Sequence, residues 1–490
     1  MFERFFQSST ANAATVNRAL SRGEIRRIRR GLYTTDLVTP LPELVRRHIW
    51  EIVRIIAPGT VIGYRTALEV KPSPEGVIHL VGPKKKRLEL HGTRILIHEG
   101  PGPLNGDQPY MDALYLASQP RAFLEVLKPS RSGREFGHKG LSESESEERL
   151  DKLLRVRGED GLNKLRDEAR ALREDLNAED EFRRLDAMIG ALLRTGDTPL
   201  SSPAGKARAA GHPYDPDRLP LFQELHRVLL DSPTRDRLDP YPPGTVGFSN
   251  AAFFDAYFSN WIEGTEFELD EAREIVTQGA VPEARQADGH DVLGTFSLVS
   301  DPTFMTGALT RVLSTPDGFV EVLHEAHTRI MSGRPEHTPG VFKTKPNRAG
   351  TIFFVAPDLV RGTLREAHGL LHSLPDGLAK AAYLMFAISE VHPYSDGNGR
   401  VARAVMNAAL VAAGHSRIIV ATGYRDDYLR SLKALSHESN AGPFVQMLDR
   451  AHQFVSELPF EDYDQTVALL EATGALDETG GPLRLPSELS

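Results

Sequence analysis

The sequence predicts a mainly α-helical protein with an α+β domain at its N-terminus. Helix-forming runs dominate the second half of the chain, and the run at 378–391 (LAKAAYLMFAISEV) contains no Gly or Pro. The first quarter instead combines helical patterns with short apolar runs at 76–81 and 94–98, which predict strands. A chain of 490 residues exceeds what one core usually organises, so two or three domains are expected.

The first predicted domain, residues 1–130, carries a cluster of arginines beside a turn, within 15–33 (TVNRALSRGEIRRIRRGLY). This pattern resembles the winged-helix domain of abortive-infection antitoxins, and 61–68 (VIGYRTAL) continues it with a further helix. The resemblance implies a toxin-antitoxin type of regulation and DNA binding through phosphate contacts, which a second basic group at 84–87 would extend. A solvated basic face, or a docking site for an acidic protein, is an equally strong alternative. The candidate DNA-binding residues are Arg26, Arg27, Arg29 and Arg30.

Residues 131–244 are predicted to form a charged helical linker region. The segment 141–194 is first acidic and then densely charged with helical apolar spacing, which is typical of exposed helices. From 199 to 243 prolines interrupt the chain, with one amphipathic helix at 221–230. A domain boundary is therefore expected on each side of this region.

The most informative segment is 392–400 (HPYSDGNGR), because it joins two strong helix-forming runs. Pro393 ends the helix of 378–391, so the preceding histidine lies at that helix end. A second helix is predicted over 399–413, and its N-terminus attracts anions. Gly397 and Gly399 let the backbone approach a phosphate closely. The segment is therefore predicted to be a phosphate-handling loop.

The side chains of this loop supply the groups that phosphoryl chemistry needs. His392, if unperturbed, titrates near neutrality and suits a general base. Asp396 is a hard oxygen ligand, and one carboxylate with phosphate oxygens is the usual way in which a protein holds Mg²⁺. Arg400 and Arg403 are three residues apart, so they share one helical face beside the phosphates.

The string resembles the signature of the Fic (Fido) domain, His-Pro-Phe-x-(Asp/Glu)-Gly-Asn-Gly-Arg, with Tyr394 in place of Phe. The added hydroxyl needs a partner if the ring is buried. The resemblance implies an all-helical core and a nucleotidyltransferase that moves AMP from ATP to a Ser, Thr or Tyr hydroxyl of a protein and releases pyrophosphate. It also implies that His392 deprotonates the target hydroxyl, that Asp396 binds Mg²⁺, and that Arg403 meets the γ-phosphate. Implied nucleotide-binding residues are Asp396, Gly397, Asn398, Gly399, Arg400 and Arg403.

A second segment, 351–357 (TIFFVAP), resembles the short β flap of the same family, which aligns a target segment by strand addition. An ordinary buried strand is nearly as strong an interpretation. Lys343, in the preceding GVFK string, stands where relatives often carry an Arg, and we expect it to be a surface charge without a role. The candidate docking residues are Thr351, Ile352, Phe353 and Phe354.

A third segment, 259–264 (SNWIEG), fits the inhibitory motif of the family, Ser/Thr-x-x-x-Glu-Gly/Asn, on a helix N-terminal to the core. The resemblance implies that Glu263 forms a bidentate pair with Arg403 and occupies the donors that the γ-phosphate needs. Glu263 is therefore expected to be an off-switch. Ser259 and Gly264 complete the motif.

The segment 288–295 (DGHDVLGT) superficially suggests a metal site, with two carboxylates around a histidine. No second histidine stands at ligand spacing, and we expect these residues to cap and satisfy a turn instead. The chain contains no Cys, so disulfides and thiol chemistry are excluded and zinc is not expected.

The Fic module is expected to occupy 245–455, with the inhibitory helix near 250–264, followed by a C-terminal tail at 456–490 that forms a short helix and a frayed end. The net charge of −9 and the lack of an apolar run of ~20 residues or of a signal-peptide pattern predict a cytoplasmic protein without a membrane partner. The expected partners are ATP, Mg²⁺ and a protein substrate, which the sequence leaves open to be the chain itself. A homodimer is also left open.

Two other functions remain open at this stage. The same loop suits removal of AMP, or transfer of UMP or phosphocholine, because one base, one metal and one anion site serve each of these reactions. Alternatively, the chain is a DNA-binding regulator whose Fic module only senses nucleotide.

Overall fold

The computed structural model describes residues 2–129, 138–232, 236–350, 352–478 and 483–489. Chain contacts divide the protein into two compact units, Met1–Ala210 and Gly211–Ser490. This single division differs from the expected domain limits at 130 and 244. The first of those limits, at 130/131, lies outside the described residues, as does Thr351 of the expected flap.

The first unit combines two sheets with helices, so the expected N-terminal α+β domain is confirmed. Its helices are α1 (Ala13–Ser21), α2 (Leu41–Arg47), α3 (Ile49–Ile56), α4 (Tyr64–Glu69), α5 (Gln119–Val126), α6 (Glu143–Leu172), α7 (Glu179–Leu192) and α8 (Pro203–Ala209). Its strands are β1 (Phe5–Gln7), β2 (Arg26–Arg29), β3 (Leu32–Thr34), β4 (Val61–Ile62), β5 (Val77–Gly82), β6 (Lys86–Leu90), β7 (Thr93–Glu99), β8 (Gln108–Tyr110) and β9 (Leu114–Leu116). Among the described residues the sheet orders are β1-β3-β2 and β6-β7-β5-β4-β9-β8.

The strands expected at 76–81 and 94–98 are confirmed as β5 and β7, which pair in parallel. Every residue of β5 is buried, and this explains its continuous apolar run. The basic stretch forms β2 and the turn into β3, with an antiparallel partner on the far side of β3. The winged-helix assignment of this small sheet stays a prediction.

The charged stretch after residue 141 forms packed helices of the first unit rather than a separate linker. Ser142 caps α6 in a reciprocal capping box with Glu145, and the helix kinks at Gly158, which has a φ of 69°. Its apolar stripe, including Leu150 and Leu154, forms one core with Phe123 of α5. The helices predicted from the apolar spacing are present. One face of them is buried, which the high density of charged residues does not suggest.

The second unit is almost entirely helical. Its helices are α9 (Leu219–Asp231), α10 (Val246–Ile262), α11 (Leu269–Gln278), α12 (Gln286–Val299), α13 (Pro302–Ser314), α14 (Pro316–Ile330), α15 (Val360–Leu371), α16 (Leu378–Val391), α17 (Asn398–Ala412), α18 (Arg425–Glu438), α19 (Gly442–Ser456) and α20 (Tyr463–Ala472). Short strands β10 (Arg348–Ala349) and β11 (Ile352–Phe353) pair antiparallel. The mainly α prediction is therefore confirmed, and so is the amphipathic helix expected at 221–230, which is α9.

Helix α16 is the centre of this unit, because nearly all of its residues are buried on every side. A helix that is apolar all round needs neighbours on all faces, and α17 packs along it with α9, α13 and α14 in the same core. The two helices on either side of the loop at 392–397 are therefore the most rigidly held elements of the unit. Both ends of the loop are therefore fixed by these two helices.

The segment 456–490 includes the expected short helix, α20, but it does not form a frayed tail where it is described. Phe460, Leu470 and Leu483 are buried in one cluster with Phe254 and Phe258 of α10. The C-terminal segment therefore covers one face of the helix that leads to Glu263. Apolar residues at 458, 460, 470, 483 and 485 supply this packing.

Within the described part of the chain, no helix has both the length and the apolar character that a membrane crossing requires.

Candidate active site

The loop at 392–397 turns sharply between α16 and α17, as the sequence predicts. His392 adopts a left-handed backbone conformation with a φ of 52°, and Gly397 does the same with a φ of 76° immediately before α17. The side-chain amide of Asn398 closes the loop: its oxygen accepts from the Tyr394 N–H at 2.8 Å, and its nitrogen donates to the Tyr394 carbonyl at 2.9 Å. Asn398 was expected to bind nucleotide, but its amide is used to hold the loop.

The His392 ring is held from two sides. It stacks on Phe354 with ring centroids 3.8 Å apart, and its Nδ1 donates to the Ser389 carbonyl at 3.3 Å. Because a carbonyl only accepts, the proton of the neutral ring is on Nδ1 and Nε2 is left as the acceptor. Burial, assisted by the charge of Lys343, lowers the pKa of His392 to about 4. The ordinary titration near neutrality holds only for an unperturbed ring, and the buried ring of His392 is neutral above a pH of about 4 and remains a base.

Lys343 is not the surface charge that the sequence analysis expects. Its side chain is only 5 % exposed, and Nζ donates to the His392 carbonyl at 2.6 Å and to Asn347 Oδ1 at 2.7 Å. Its own N–H donates to the carbonyl of Pro393 at 2.9 Å. Burial, and then the charge of Arg218, lowers the pKa of Lys343 to about 7. Lys343 therefore holds the backbone that orients His392.

The buried Tyr394 hydroxyl has a hydrogen-bond partner, as expected: its oxygen lies 3.1 Å from His324 Nδ1. The fully buried ring stacks face to face on His327 at 3.7 Å. His327 Nδ1 accepts from the Gly340 N–H at 2.8 Å, so its Nε2 donates to the Asp396 carbonyl at 3.1 Å. Two histidines of α14 thus support the underside of the loop.

Arg403 is buried and fully engaged by the end of α10. Its Nε donates to Ser259 Oγ at 2.9 Å, and its Nη2 donates to the Ser259 carbonyl at 2.8 Å and to Glu263 Oε1 at 2.6 Å. The expected pairing of Glu263 with Arg403 is present, but it is not bidentate, since the second donor goes to Ser259. Burial alone would lower the pKa of Arg403, but the Glu263 carboxylate and Tyr428 together outweigh burial and raise the pKa. Gly264 follows with a φ of 87° and turns the chain away from α10.

Gly399 lies directly below the Glu263 carboxylate. A Cβ atom built on Gly399 would stand 2.1 Å from Glu263 Oε1 and 3.0 Å from Arg403 Nη1. The missing side chain at Gly399 therefore leaves the space that the carboxylate fills. The sequence analysis expects Gly399 to bind phosphate, so the carboxylate lies where a phosphate is expected.

Arg400 does not share the partners of Arg403. Its Nη1 pairs with Asp291 Oδ2 at 2.7 Å, and its Nη2 lies 3.6 Å from Asp396 Oδ2. Asp291 is buried and also pairs with Arg334 at 2.8 Å. The segment expected to cap a turn is instead part of α12, which presents Asp291 to the loop. Arg400 is therefore fixed by a carboxylate beneath it.

Asp396 is the most exposed of the loop's charged groups, with 43 % of its side chain accessible. Among the described residues, no group of three or more His, Cys, Asp or Glu side chains is arranged to hold a metal ion. A Mg²⁺ ion at Asp396 would have one protein carboxylate and would need phosphate oxygens for the rest of its shell. That donor set fits Mg²⁺ bound together with a nucleotide.

A cleft of about 330 Å³ opens over these groups. Glu263, Arg403 and His392 line one side. The other side is α18, which the sequence analysis did not connect with the site. Its lining residues are Arg425, Tyr428, Leu429, Leu432, Lys433, Ser436 and His437. The apolar patch of Tyr428, Leu429 and Leu432, beside a loop expected to bind phosphate, suits a nucleotide whose base is buried.

The segment expected to form the flap supplies β11 of the β10–β11 hairpin. The strand predicted over 351–357 is shorter than expected and covers only Ile352 and Phe353. Phe353 is 61 % exposed, whereas Phe354 turns inward onto His392. Phe354 is thus part of the candidate active site, and Phe353 remains the candidate docking residue.

The N-terminal arginines differ in their surroundings. Arg26 donates to the carbonyls of Asp36 at 2.9 Å and Thr39 at 2.5 Å, so its side chain fastens a local turn. Arg27 and Arg30 are exposed, and Arg29 is half-buried. Of the four predicted DNA-binding residues, Arg27 and Arg30 are the ones whose exposure suits phosphate contacts.

Local sequence signals could have found some of the missed residues. Asp288 and Asp291 are three apart, which is the spacing of one helix face, and they precede an apolar run. Lys343 follows the apolar pair Val341-Phe342, but nothing in the sequence reports that its partner is a main-chain carbonyl. For α18, the spacing of Tyr428, Leu429 and Leu432 predicts an apolar face without naming what it covers.

Comparison with known proteins agrees with this geometry. The Fic/DOC family model matches residues 319–410, which span α14 to α17. The chain is 28 % identical over 243 residues to the protein adenylyltransferase Fic of Nematostella vectensis, covering 47 % of this chain and 56 % of that protein. It is 26 % identical over 240 residues to the protein adenylyltransferase fic-1 of Caenorhabditis elegans, covering 46 % of each chain. The chain therefore contains a Fic domain, and it spans about half the length of the curated relatives it matches.

A solved structure of residues 134–508 of Fic-1 from Caenorhabditis elegans is 18 % identical, with a TM-score of 0.35, and covers 73 % of this chain and 98 % of that one.

Proposed function

We propose that this protein is a Mg²⁺-dependent protein adenylyltransferase that transfers AMP from ATP to a hydroxyl of a protein substrate and is held inactive by Glu263. The observation that carries the proposal is the ion pair between Glu263 and Arg403, 2.6 Å long, in the same cleft as His392. A base, an anion-binding helix end and an intramolecular carboxylate on the anion site together fit a restrained transferase. The names of the relatives in Nematostella vectensis and Caenorhabditis elegans support the same activity.

The proton step begins at His392. Its Nε2 accepts the proton of the target hydroxyl while the hydroxyl oxygen forms a bond to the α-phosphorus of ATP. The bond from that phosphorus to the bridging oxygen breaks, and pyrophosphate leaves with the electron pair. The Nδ1–H bond to Ser389 and the stack on Phe354 keep the ring in the orientation that this transfer needs.

The phosphates are held by the start of α17. Its free N–H groups and the guanidinium of Arg403 supply donors for the β- and γ-phosphates once Glu263 has moved. Asp396 is the residue that would hold Mg²⁺, with phosphate oxygens completing the shell. When bound, Mg²⁺ neutralises charge on the phosphates and on the departing pyrophosphate. Arg400, fixed by Asp291, keeps positive charge beside Asp396.

The proposal is tested by labelling with α-labelled ATP and Mg²⁺ in bacterial lysate. The parent, Glu263→Gly and Glu263→Gly/His392→Ala proteins are compared, and Glu266→Gly, an exposed change three residues away, is the matched control. We expect labelled protein bands with Glu263→Gly and little with the other three. Equal labelling of the parent and Glu263→Gly would reject inhibition by Glu263. If no variant is labelled with ATP but labelling occurs with α-labelled UTP, the transferred group would be UMP instead of AMP.

A second activity, DNA binding by the first unit, is proposed on the exposure of Arg27, Arg30 and the basic group at 84–87, which leads into β6. Phosphate contacts made by such side chains weaken as salt rises, because they release counterions. Binding of the 1–210 fragment to duplex DNA at increasing salt, compared with Arg27→Ala/Arg30→Ala, tests it. Binding that is equal in the two proteins would remove these arginines from any DNA surface.

A further inference from the structure

Arg218 has no role in the sequence analysis. It nevertheless contacts both the β10–β11 hairpin and α16, the helix that ends at His392. It stands immediately before α9, in the second unit. Its Nη2 donates to the carbonyl of Phe353 at 2.7 Å, and its Nη1 is paired with the carboxylate of Glu390. Glu390 is in α16, two residues before His392.

The Phe353 carbonyl is on the outer edge of the hairpin. Phe354 donates its N–H to the Asn347 carbonyl at 3.2 Å, so residues 347 and 354 form a hydrogen-bonded pair. In an antiparallel ladder these pairs alternate, and the next pair, Arg348 with Phe353, is not hydrogen-bonded. The N–H and C=O of Phe353 therefore point away from β10, toward the edge that an added strand would use.

The Arg218 side chain is held from below, so it is a fixed point rather than a mobile surface group. Its partner Glu390 is 4 % exposed, and the other oxygen of that carboxylate accepts from Ser436 Oγ of α18 at 2.6 Å. Arg218 Nε also lies 3.4 Å from Asp215 Oδ2. A buried ion pair whose oxygens are all used keeps a single geometry.

We propose that Arg218 is a positioning residue that anchors the flap to the catalytic helix and so sets the distance between a docked target strand and His392. The inference deepens the proposed function and rests on it. Through one guanidinium, the outer edge of β11 is tied to a carboxylate of the helix that ends at the catalytic histidine. Because the Phe353 carbonyl oxygen already accepts a hydrogen bond from Arg218, it is not offered to a target strand. The target main chain therefore binds to the Phe353 N–H, and this fixes one register.

Lysine and methionine substitutions separate this bridging role from simple charge. Arg218→Lys keeps a cation beside Glu390, but one ammonium lacks the planar fork that reaches two acceptors. Arg218→Met removes both contacts. Because Arg218→Met leaves a buried carboxylate unpaired, the double variant Arg218→Met/Glu390→Gln is made as well. Arg227→Met, at an exposed position of the adjoining α9, is the matched control.

The first measurement needs no substrate: hydrogen exchange of the Phe354 amide, which reports opening of the hairpin. We expect exchange at least about tenfold faster in the Lys, Met and double variants, since a hydrogen bond to a charged donor is lost in each. Arg227→Met should exchange like the parent. Unchanged exchange in the double variant would overturn the anchoring role.

The second measurement is the kinetics of AMP transfer in the Glu263→Gly background. We expect the KM for the protein target to rise about tenfold in Arg218→Lys and Arg218→Met, with the KM for ATP unchanged. Equal rises in both KM values, or none, would overturn the positioning role. If the Glu263→Gly parent transfers nothing, the proposed function has failed, and the exchange result alone decides whether Arg218 anchors the hairpin.

Discussion

Lys343 and His392 face each other across a backbone carbonyl, and burial shifts the pKa values of both downward. His392, with a pKa of about 4, is a neutral base at any higher pH, whereas Lys343, with a pKa of about 7, loses its charge as pH rises through neutrality. The other charged group acting on Lys343 is Arg218, which is paired with Glu390. The charged form of Lys343 therefore holds the histidine only on the acid side of its pKa.

This arrangement predicts a pH dependence of transfer. In the Glu263→Gly protein we expect the rate to fall several-fold as pH rises through about 7, because a neutral amine binds the His392 carbonyl less strongly than an ammonium. Lys343→Arg stays charged and should remove that fall. Initial rates from about pH 6 to about pH 9 provide the check. An identical profile for both proteins would contradict the role of Lys343.

The same residue predicts a change in stability with pH. Between its folded pKa of about 7 and the ordinary value of 10.5, Lys343 is protonated in the unfolded chain but not in the folded one. The unfolded state then binds more protons, so the free energy of unfolding increases with pH, by at most about 1.4 kcal/mol per pH unit. Urea denaturation of the parent and Lys343→Met across this window should show that increase only in the parent. If the free energy of unfolding of Lys343→Met increased with pH as steeply as that of the parent, the prediction would be wrong.

Residue-level prediction from sequence succeeds where the partners are local. The loop of 392–397 was recognisable because its Pro, its glycines and the two flanking helix-forming runs all act within a few residues of each other. Lys343 was misjudged because its partner, the His392 carbonyl, is 49 positions away. Asp291 was misjudged for the same reason, since only packing brings α12 beneath Arg400.

At the scale of elements, the position of Glu263 depends on how firmly α10 is packed. Phe254 and Phe258 on α10 share a cluster with Phe460 and Leu470 of the C-terminal segment, and Asn250 donates to the Phe460 carbonyl at 2.7 Å. The sequence predicts α20 from its helical pattern, but not that the segment would cover the inhibitory helix. Such packing depends on shape and not on local propensity.

Removing one ring from this cluster tests the coupling. Phe460→Ala should lower the free energy of unfolding by about 3 kcal/mol, because it leaves a cavity in a close-packed cluster. If α10 loosens as a consequence, AMP transfer by the otherwise unmodified protein should rise above that of the parent. Denaturant unfolding and labelling are measured on the same preparation. Lost stability with no gain in labelling would mean that α10 holds Glu263 without help from the C-terminal segment.

At the scale of the whole molecule, every contact described for the site lies within Gly211–Ser490. We therefore expect the 211–490 fragment to fold alone, to remain inactive, and to gain transfer with Glu263→Gly to within about threefold of the full chain. Thermal unfolding and labelling of the fragment test this expectation. A fragment that labels protein without any substitution would assign part of the inhibition to residues 1–210.

Under the proposed function, the contact of Glu263 with Arg403 means that the chain carries its own competitive inhibitor. A carboxylate tethered at the end of α10 has an effective concentration on the order of millimolar or above, whatever the dilution of the protein. Because the Glu263 carboxylate is part of the chain, purification does not remove it, and its ratio to Arg403 stays the same at every protein concentration. If that proposal holds, nucleotide has to displace the carboxylate from the position above Gly399. Small changes in the packing of α10 would then change the ATP concentration at which transfer begins.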